Sequence, residues 1–140
     1  MSDQPIIAVI DDDADFQNLM EQVLGDHGYQ VIGFPVGEGA AEVVRAAGAD
    51  LVILDIRLPG VSGYHVLNRL LTNPATTHIP VLVCTGVAWG PAERRHLSAM
   101  GVRVLPKPFD LDDLLAAVTA LLASQAAAAP AVHAGAPPAP

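Results

Sequence analysis

Basic residues are scarce in this sequence. Seven Lys and Arg face 15 Asp and Glu, for a formal net charge of −8. A surface so poor in cations argues against a general nucleic-acid or membrane-surface binder, because both tasks need a basic face. Cysteine occurs once, as Cys84, so no disulfide can close within the chain. That thiol sits in an apolar run and reads as a structural residue in a reducing compartment. Aromatic residues make up only 4%, and Trp89 is the single tryptophan. No stretch approaches the roughly 20 apolar residues of a membrane span. The opening MSDQPIIAVIDDD has neither the basic region nor the apolar segment of a signal peptide. The histidines (His27, His65, His78, His96 and His133) are scattered without metal-ligand spacing and read as surface residues. The expected location is the cytoplasm, with no membrane and no nucleic acid as partner.

What the sequence has is apolar content: 51% of 140 residues, enough for one domain with a real core. Short apolar runs alternate with helical patterns. Strands are expected at 6–10, 30–34, 51–54, 81–84 and 102–105. Helices are expected at 14–25, 37–47, 62–72, 91–99 and 110–123. Phe16, Leu19, Met20, Val23 and Leu24 would form the apolar face of the first helix. Ser62 and Asp110 are the expected N-caps of the third and fifth, and Gly48 the stop of the second. A Leu58-Pro59-Gly60 turn follows the third strand. Such alternation predicts an α/β fold: a five-stranded, doubly wound parallel sheet. Five strands suit the order 2-1-3-4-5, the flavodoxin-like arrangement. Residues 1–123 would be the domain. The Ala- and Pro-rich stretch 124–140 has no periodic apolar face and reads as a disordered tail, with Ala126–Ala129 able to prolong the last helix until Pro130.

The polar residues cluster in one respect. Strand 1 runs into Asp11, Asp12 and Asp13, and strand 3 into Asp55. Strand 4 ends at Thr85 and Gly86, and strand 5 runs into Lys107. All lie at carboxyl ends of strands, and strands 1 and 3 flank the topological switch point where ligands bind such sheets. Acids gathered there repel one another and call for a cation. All-oxygen donors suit Mg²⁺ or Ca²⁺. An aspartate can also act as a nucleophile toward phosphorus, with a metal, an ammonium and a hydroxyl stabilising the transferred group. Asp13 serves as the cap of the first helix, and Asp15 as a solvated charge at its start.

The motifs VIDDDADF, LVILDIRLPGVSGY, IPVLVCTG and VLPKPF, in this order and spacing, resemble the receiver domain of two-component response regulators over residues 5–123. The resemblance implies that Asp55 is the phosphoacceptor. It implies that Asp11 and Asp12, with Asp55 and the Arg57 backbone carbonyl, hold Mg²⁺. Thr85 would be the switch hydroxyl, with Gly86 beside the phosphoryl pocket. Lys107 would be the cationic contact, followed by a cis bond to Pro108. The phosphoryl group would come from a phosphohistidine on a sensor kinase or phosphotransfer protein, and the output would pass to a protein target.

Three positions depart from the family pattern. Val104 stands where the family generally has Tyr or Phe, so the aromatic readout is absent or moved. Trp89, in the loop after strand 4, is a candidate to replace it. Arg57, two residues after Asp55, could shield the aspartyl phosphate or steer a donor, against the simpler reading of a solvated side chain. Arg94, Arg95 and His96 form a basic corner that reads as a solvated face, with a docking surface as the rival. The expected function is a stand-alone phosphorylation switch, not an enzyme beyond self-directed phosphotransfer and autodephosphorylation. The alternatives are a receiver fragment of a larger regulator or hybrid kinase, and a phosphorylation-independent interaction module. A haloacid-dehalogenase-type hydrolase would need a second Asp where Arg57 stands.

Overall fold

The computed structural model describes residues 4–35, 39–58, 61–85 and 91–135. In chain order the elements are β1 (Ile6–Ile10), α1 (Ala14–Asp26), β2 (Gln30–Phe34), α2 (Ala40–Ala47), β3 (Leu51–Leu54), β4 (Arg57–Leu58), β5 (Val61–Ser62), α3 (Gly63–Thr72), β6 (Val81–Thr85), α4 (Pro91–Ala99), β7 (Arg103–Pro106) and α5 (Leu111–Gly135). The five long strands form one parallel sheet in the order β2-β1-β3-β6-β7. Counted among themselves, that is the order 2-1-3-4-5 read from the sequence.

The continuous apolar strands are explained by burial on both faces. Successive strand residues point to opposite sides of a sheet, and the core divides accordingly. Ala8, Ile10, Val52, Leu54 and Val83 pack with Val44 of α2, Val66, Leu67 and Leu70 of α3, and Leu97 of α4. Ile7, Val9, Leu51, Ile53, Leu82 and Cys84 pack with Phe16, Met20 and Leu24 of α1 and Leu114, Ala117 and Val118 of α5. Helices α1 and α5 therefore cover one face, and α2, α3 and α4 the other. Leu19, expected on the buried face of α1, is instead 41% exposed. The stripe is narrower than the sequence pattern, because Phe16, Met20 and Leu24, four residues apart, already fill the contact with the sheet.

Other boundaries also differ. Ser62, the expected cap and the residue just before α3, is also the last residue of a short strand. It pairs with Arg57 in the small antiparallel ribbon β4–β5, and α3 starts at Gly63, whose N–H donates to the Ile56 carbonyl at 2.9 Å. A Cβ on Gly63 would collide with the Ile56 backbone, so the close return of the chain beneath Asp55 requires glycine. Residues 37 and 38, where α2 was expected to start, and Pro59 and Gly60 of the expected turn lie outside the described residues. Gly48 ends α2 in the left-handed conformation (φ 69°), as a C-terminal stop does. Helix α5 continues to Gly135, past the expected end at residue 123. Alanine has the highest helix propensity, which favours continuation through Ala126–Ala129. Among the described residues no helix is long and apolar enough to cross a membrane.

Candidate functional site

Asp11 and Asp55 are placed by the sheet itself. The Asp11 N–H donates to the Phe34 carbonyl at 3.1 Å, and the Asp55 N–H to the Ile10 carbonyl at 3.0 Å. Each backbone is thus held by a neighbouring strand at the carboxyl edge. Both side chains are buried: Asp11 is 1% exposed and Asp55 9%. Asp12 is exposed beside them. Asp13 caps α1, its carboxylate accepting from the N–H groups of Asp15 and Phe16, so the third acid of the run is committed to the helix.

Lys107 enters from the end of β7. Its Nζ donates to Asp11 Oδ2 at 2.8 Å and lies 3.5 Å from Asp55 Oδ2. It also sits 4.0 Å from the centre of the Phe16 ring, a cation–π distance. Phe109 meets that ring edge-on, with centroids 6.2 Å apart. The Lys107–Pro108 bond is cis, as the resemblance implies.

The charges shift one another. Burial pushes the Asp11 carboxyl above its ordinary range. The Lys107 hydrogen bond, the Asp13 N–H and the Lys107 charge pull it back, and the Asp55 charge adds to the rise. Burial also works against the Lys107 ammonium. Its bond to Asp11 and the charges of Asp11 and Asp55 outweigh that, and its pKa is raised. Burial pushes the Cys84 thiol up to about 12, so under ordinary conditions it is neither a nucleophile nor a ligand.

One ligand oxygen from each of Asp11, Asp12 and Asp55 can be chosen so that all lie within 4.8 Å of one another. Three carboxylates against one ammonium leave the cluster short of positive charge when all are ionised. An all-oxygen donor set of this charge suits a hard divalent cation such as Mg²⁺ or Ca²⁺.

The structure thus brings together Asp11, Asp12, Asp55 and Lys107. Thr85 ends β6 with its Cα opposite Pro106, on the same edge of the sheet. Arg57 lies in β4. Val104 pairs with Val83 in β7 and packs, partly buried, against the core on the α2, α3 and α4 side. Gly86 and Trp89 lie outside the described residues. The sequence reading missed two neighbours of the cluster. Phe16 was read only as a core residue of α1, yet it also faces Lys107. Gln17, a polar residue one turn after the cap, carried a weak signal: it interrupts the apolar side of α1, where its amide meets the ends of β1 and β2.

Known proteins share both pattern and architecture. The family model described as "Response regulator receiver domain" matches residues 7–119. Among curated proteins, the DNA-binding dual master transcriptional regulator RpaA of Synechocystis is 36% identical over 119 residues, covering 84% of this chain and 49% of that protein. A probable cyclic di-GMP phosphodiesterase of Vibrio cholerae is 40% identical over 83 residues, 59% of this chain but 19% of that protein. The chain spans about half or less of the length of such relatives. Among solved structures, a putative response regulator from Chloroflexus aurantiacus superposes with a TM-score of 0.76 at 29% identity, covering 86% of this chain and 98% of that one. The N-terminal domain of a response regulator receiver protein from Methanoculleus marisnigri gives 0.68 at 32%, covering 84% and 96%. With the sheet order and the acid–lysine cluster agreeing with that match, the chain belongs to the response regulator receiver domain family.

Proposed function

We propose that this chain is a phosphoacceptor switch in which Asp55 takes a phosphoryl group from a phosphohistidine on a sensor kinase or phosphotransfer protein. The observation that carries this reading is the convergence of Asp11, Asp12 and Asp55 within 4.8 Å, with Lys107 Nζ bridging two of them. Asp55 is positioned to attack. An oxygen of its carboxylate bonds to phosphorus, the P–N bond of the donor breaks, and the imidazole departs with the bond electrons. Asp11, Asp12 and Asp55, with the Arg57 carbonyl, would hold Mg²⁺, which supplies positive charge to the equatorial oxygens of the transferred group. Lys107 supplies the opposing cation, and the Thr85 hydroxyl the neutral donor. Binding these groups to the phosphoryl oxygens favours one of two conformations, a population shift read by a protein target. Arg57 borders the acceptor, and Arg57→Ala is expected to change the lifetime of the phosphorylated form.

Intact-mass measurement after incubation with Mg²⁺ and acetyl phosphate tests the assignment. The expected result is addition of one phosphoryl group, abolished by Asp55→Asn. Uptake that survives Asp55→Asn, or no uptake from either acetyl phosphate or a cognate kinase, overturns it.

A further inference from the structure

Gln17 takes no part in the chemistry above, yet its side chain reaches the carboxyl ends of two strands. Its Nε2 lies 3.0 Å from the Val9 carbonyl oxygen, 3.0 Å from that of Asp11 and 3.1 Å from that of Phe34. The amide has two N–H groups, so three acceptors share them. The reversed amide would set Oε1 against the same three carbonyl oxygens, so only the donor orientation fits. The Asp11 carbonyl belongs to the peptide unit that joins Asp11 to Asp12. That unit is planar, and holding its oxygen sets the direction in which both acids leave the chain. The Phe34 oxygen also accepts from the Asp11 N–H, so β2, the Asp11 backbone and Gln17 close a ring of bonds.

Two further observations separate this arrangement from ordinary packing. Among the described residues, Gln17 Oε1 is buried without a hydrogen-bond partner, an arrangement that costs stability. A residue present for stability alone would satisfy both ends of its amide or have no amide. The second is Gly33 of β2. A Cβ there would collide with Gln17 Oε1 and come within 2.8 Å of its Cδ, so Gly33 makes the room that Gln17 occupies.

We propose that Gln17 is a positioning residue that pins the Asp11–Asp12 peptide to β2 and so preorganises the two acids for a divalent cation. The inference rests on the cation-binding reading of the preceding subsection. Gln17 does not itself touch the cation; it acts through the peptide.

Calorimetric titration of the full chain with MgCl₂ tests it. Q17M keeps the length and removes the donors. It is expected to weaken Mg²⁺ binding about tenfold, the scale for groups that orient metal ligands, while the far-UV circular dichroism is retained. G33A leaves Gln17 in the sequence but takes away its space, and a comparable loss is expected. The double variant Q17M/G33A should bind no more weakly than Q17M, because both changes break one device. Mg²⁺ binding by Q17M within twofold of the wild type, or losses that add in the double variant, overturns the inference alone. If Q17M does not fold, the shorter amide of Q17N decides: wild-type affinity in folded Q17N overturns the inference, and weakened affinity supports it. Absence of Mg²⁺ binding in the wild type, or binding that survives both Asp11→Asn and Asp12→Asn, overturns the site reading and this inference with it.

Discussion

Lys107 is held by groups of different kinds: a hydrogen-bonded carboxylate at 2.8 Å, a second carboxylate at 3.5 Å and the face of an aromatic ring at 4.0 Å. The ring stabilises the cation without accepting a proton, so it fixes where Nζ lies rather than what it bonds. Phe16→Leu keeps an apolar side chain but removes the ring face. It should cost about 1–2 kcal/mol of stability, from lost packing together with the cation–π contact, and slow phosphoryl uptake. Phe16→Tyr should preserve both. Urea unfolding and acetyl phosphate kinetics check the pair. Cys84 makes a second prediction at this scale. Its folded pKa, about 12, lies above the ordinary 9.0. The native state therefore favours the neutral thiol, and that part of the stability is complete below pH 9 and lost as pH rises toward 12. Lys107, also raised, acts in the same direction above its ordinary 10.5. Urea midpoints should fall over this alkaline range, and Cys84→Ala should make the fall shallower. Native Cys84 should resist alkylation until denaturant is added.

At the scale of elements, the site is a consequence of strands ending in register. β1 and β3 are neighbours, so the residues after Ile10 and Leu54, which are themselves paired, must emerge side by side. Those residues are Asp11 and Asp55. The chain must then leave Asp55 without covering it, and the β4–β5 ribbon and Gly63 accomplish this. Gly63→Ala would place a Cβ into the Ile56 backbone. A destabilisation of about 1–3 kcal/mol is expected from the forced shift, with slower phosphoryl uptake because Ile56 adjoins the acceptor. Chemical denaturation together with the uptake rate measures both. The strands were legible because burial on both faces leaves uninterrupted apolar runs, and α1 because its cap and stripe are local. The ribbon was not legible. Two-residue strands have no period, and their pairing depends on contacts between the two segments. That Ser62, at the start of α3, is also a strand residue was hidden for the same reason.

For the whole molecule, the excess of acids is partly concentrated at one edge of the sheet. Burial raises the Asp11 pKa, so the charged carboxylate is less stable there than in water, and a bound divalent cation should relieve this. Mg²⁺ should therefore raise the melting temperature. The gain is set by RT ln(1 + [Mg²⁺]/Kd), about 2.7 kcal/mol at a hundredfold excess over Kd. Asp12→Asn should remove most of it. The sign with pH follows from the raised Asp11 pKa: as pH falls, protons compete for Asp11 earlier than for an ordinary aspartate, so the Mg²⁺ gain should shrink with acidification. Thermal melts with and without Mg²⁺ across an acid pH series provide the check.

The linear chain was enough to specify alternating strands and helices, the sheet order, the acids that follow strands 1 and 3, and the lysine that follows strand 5. These follow from hydrophobic period and residue order, which are local or topological properties. Distances required the folded chain. That Lys107 bridges Asp11 and Asp55, that Phe16 faces its ammonium, and that Gln17 grips the peptide between Asp11 and Asp12 are contacts across the sheet edge. Lys107 and Asp11 stand 96 residues apart in sequence. No periodicity encodes such a pair; it forms because strands of one sheet, each packed for its own apolar reasons, end at the same edge and bring their polar ends to one place.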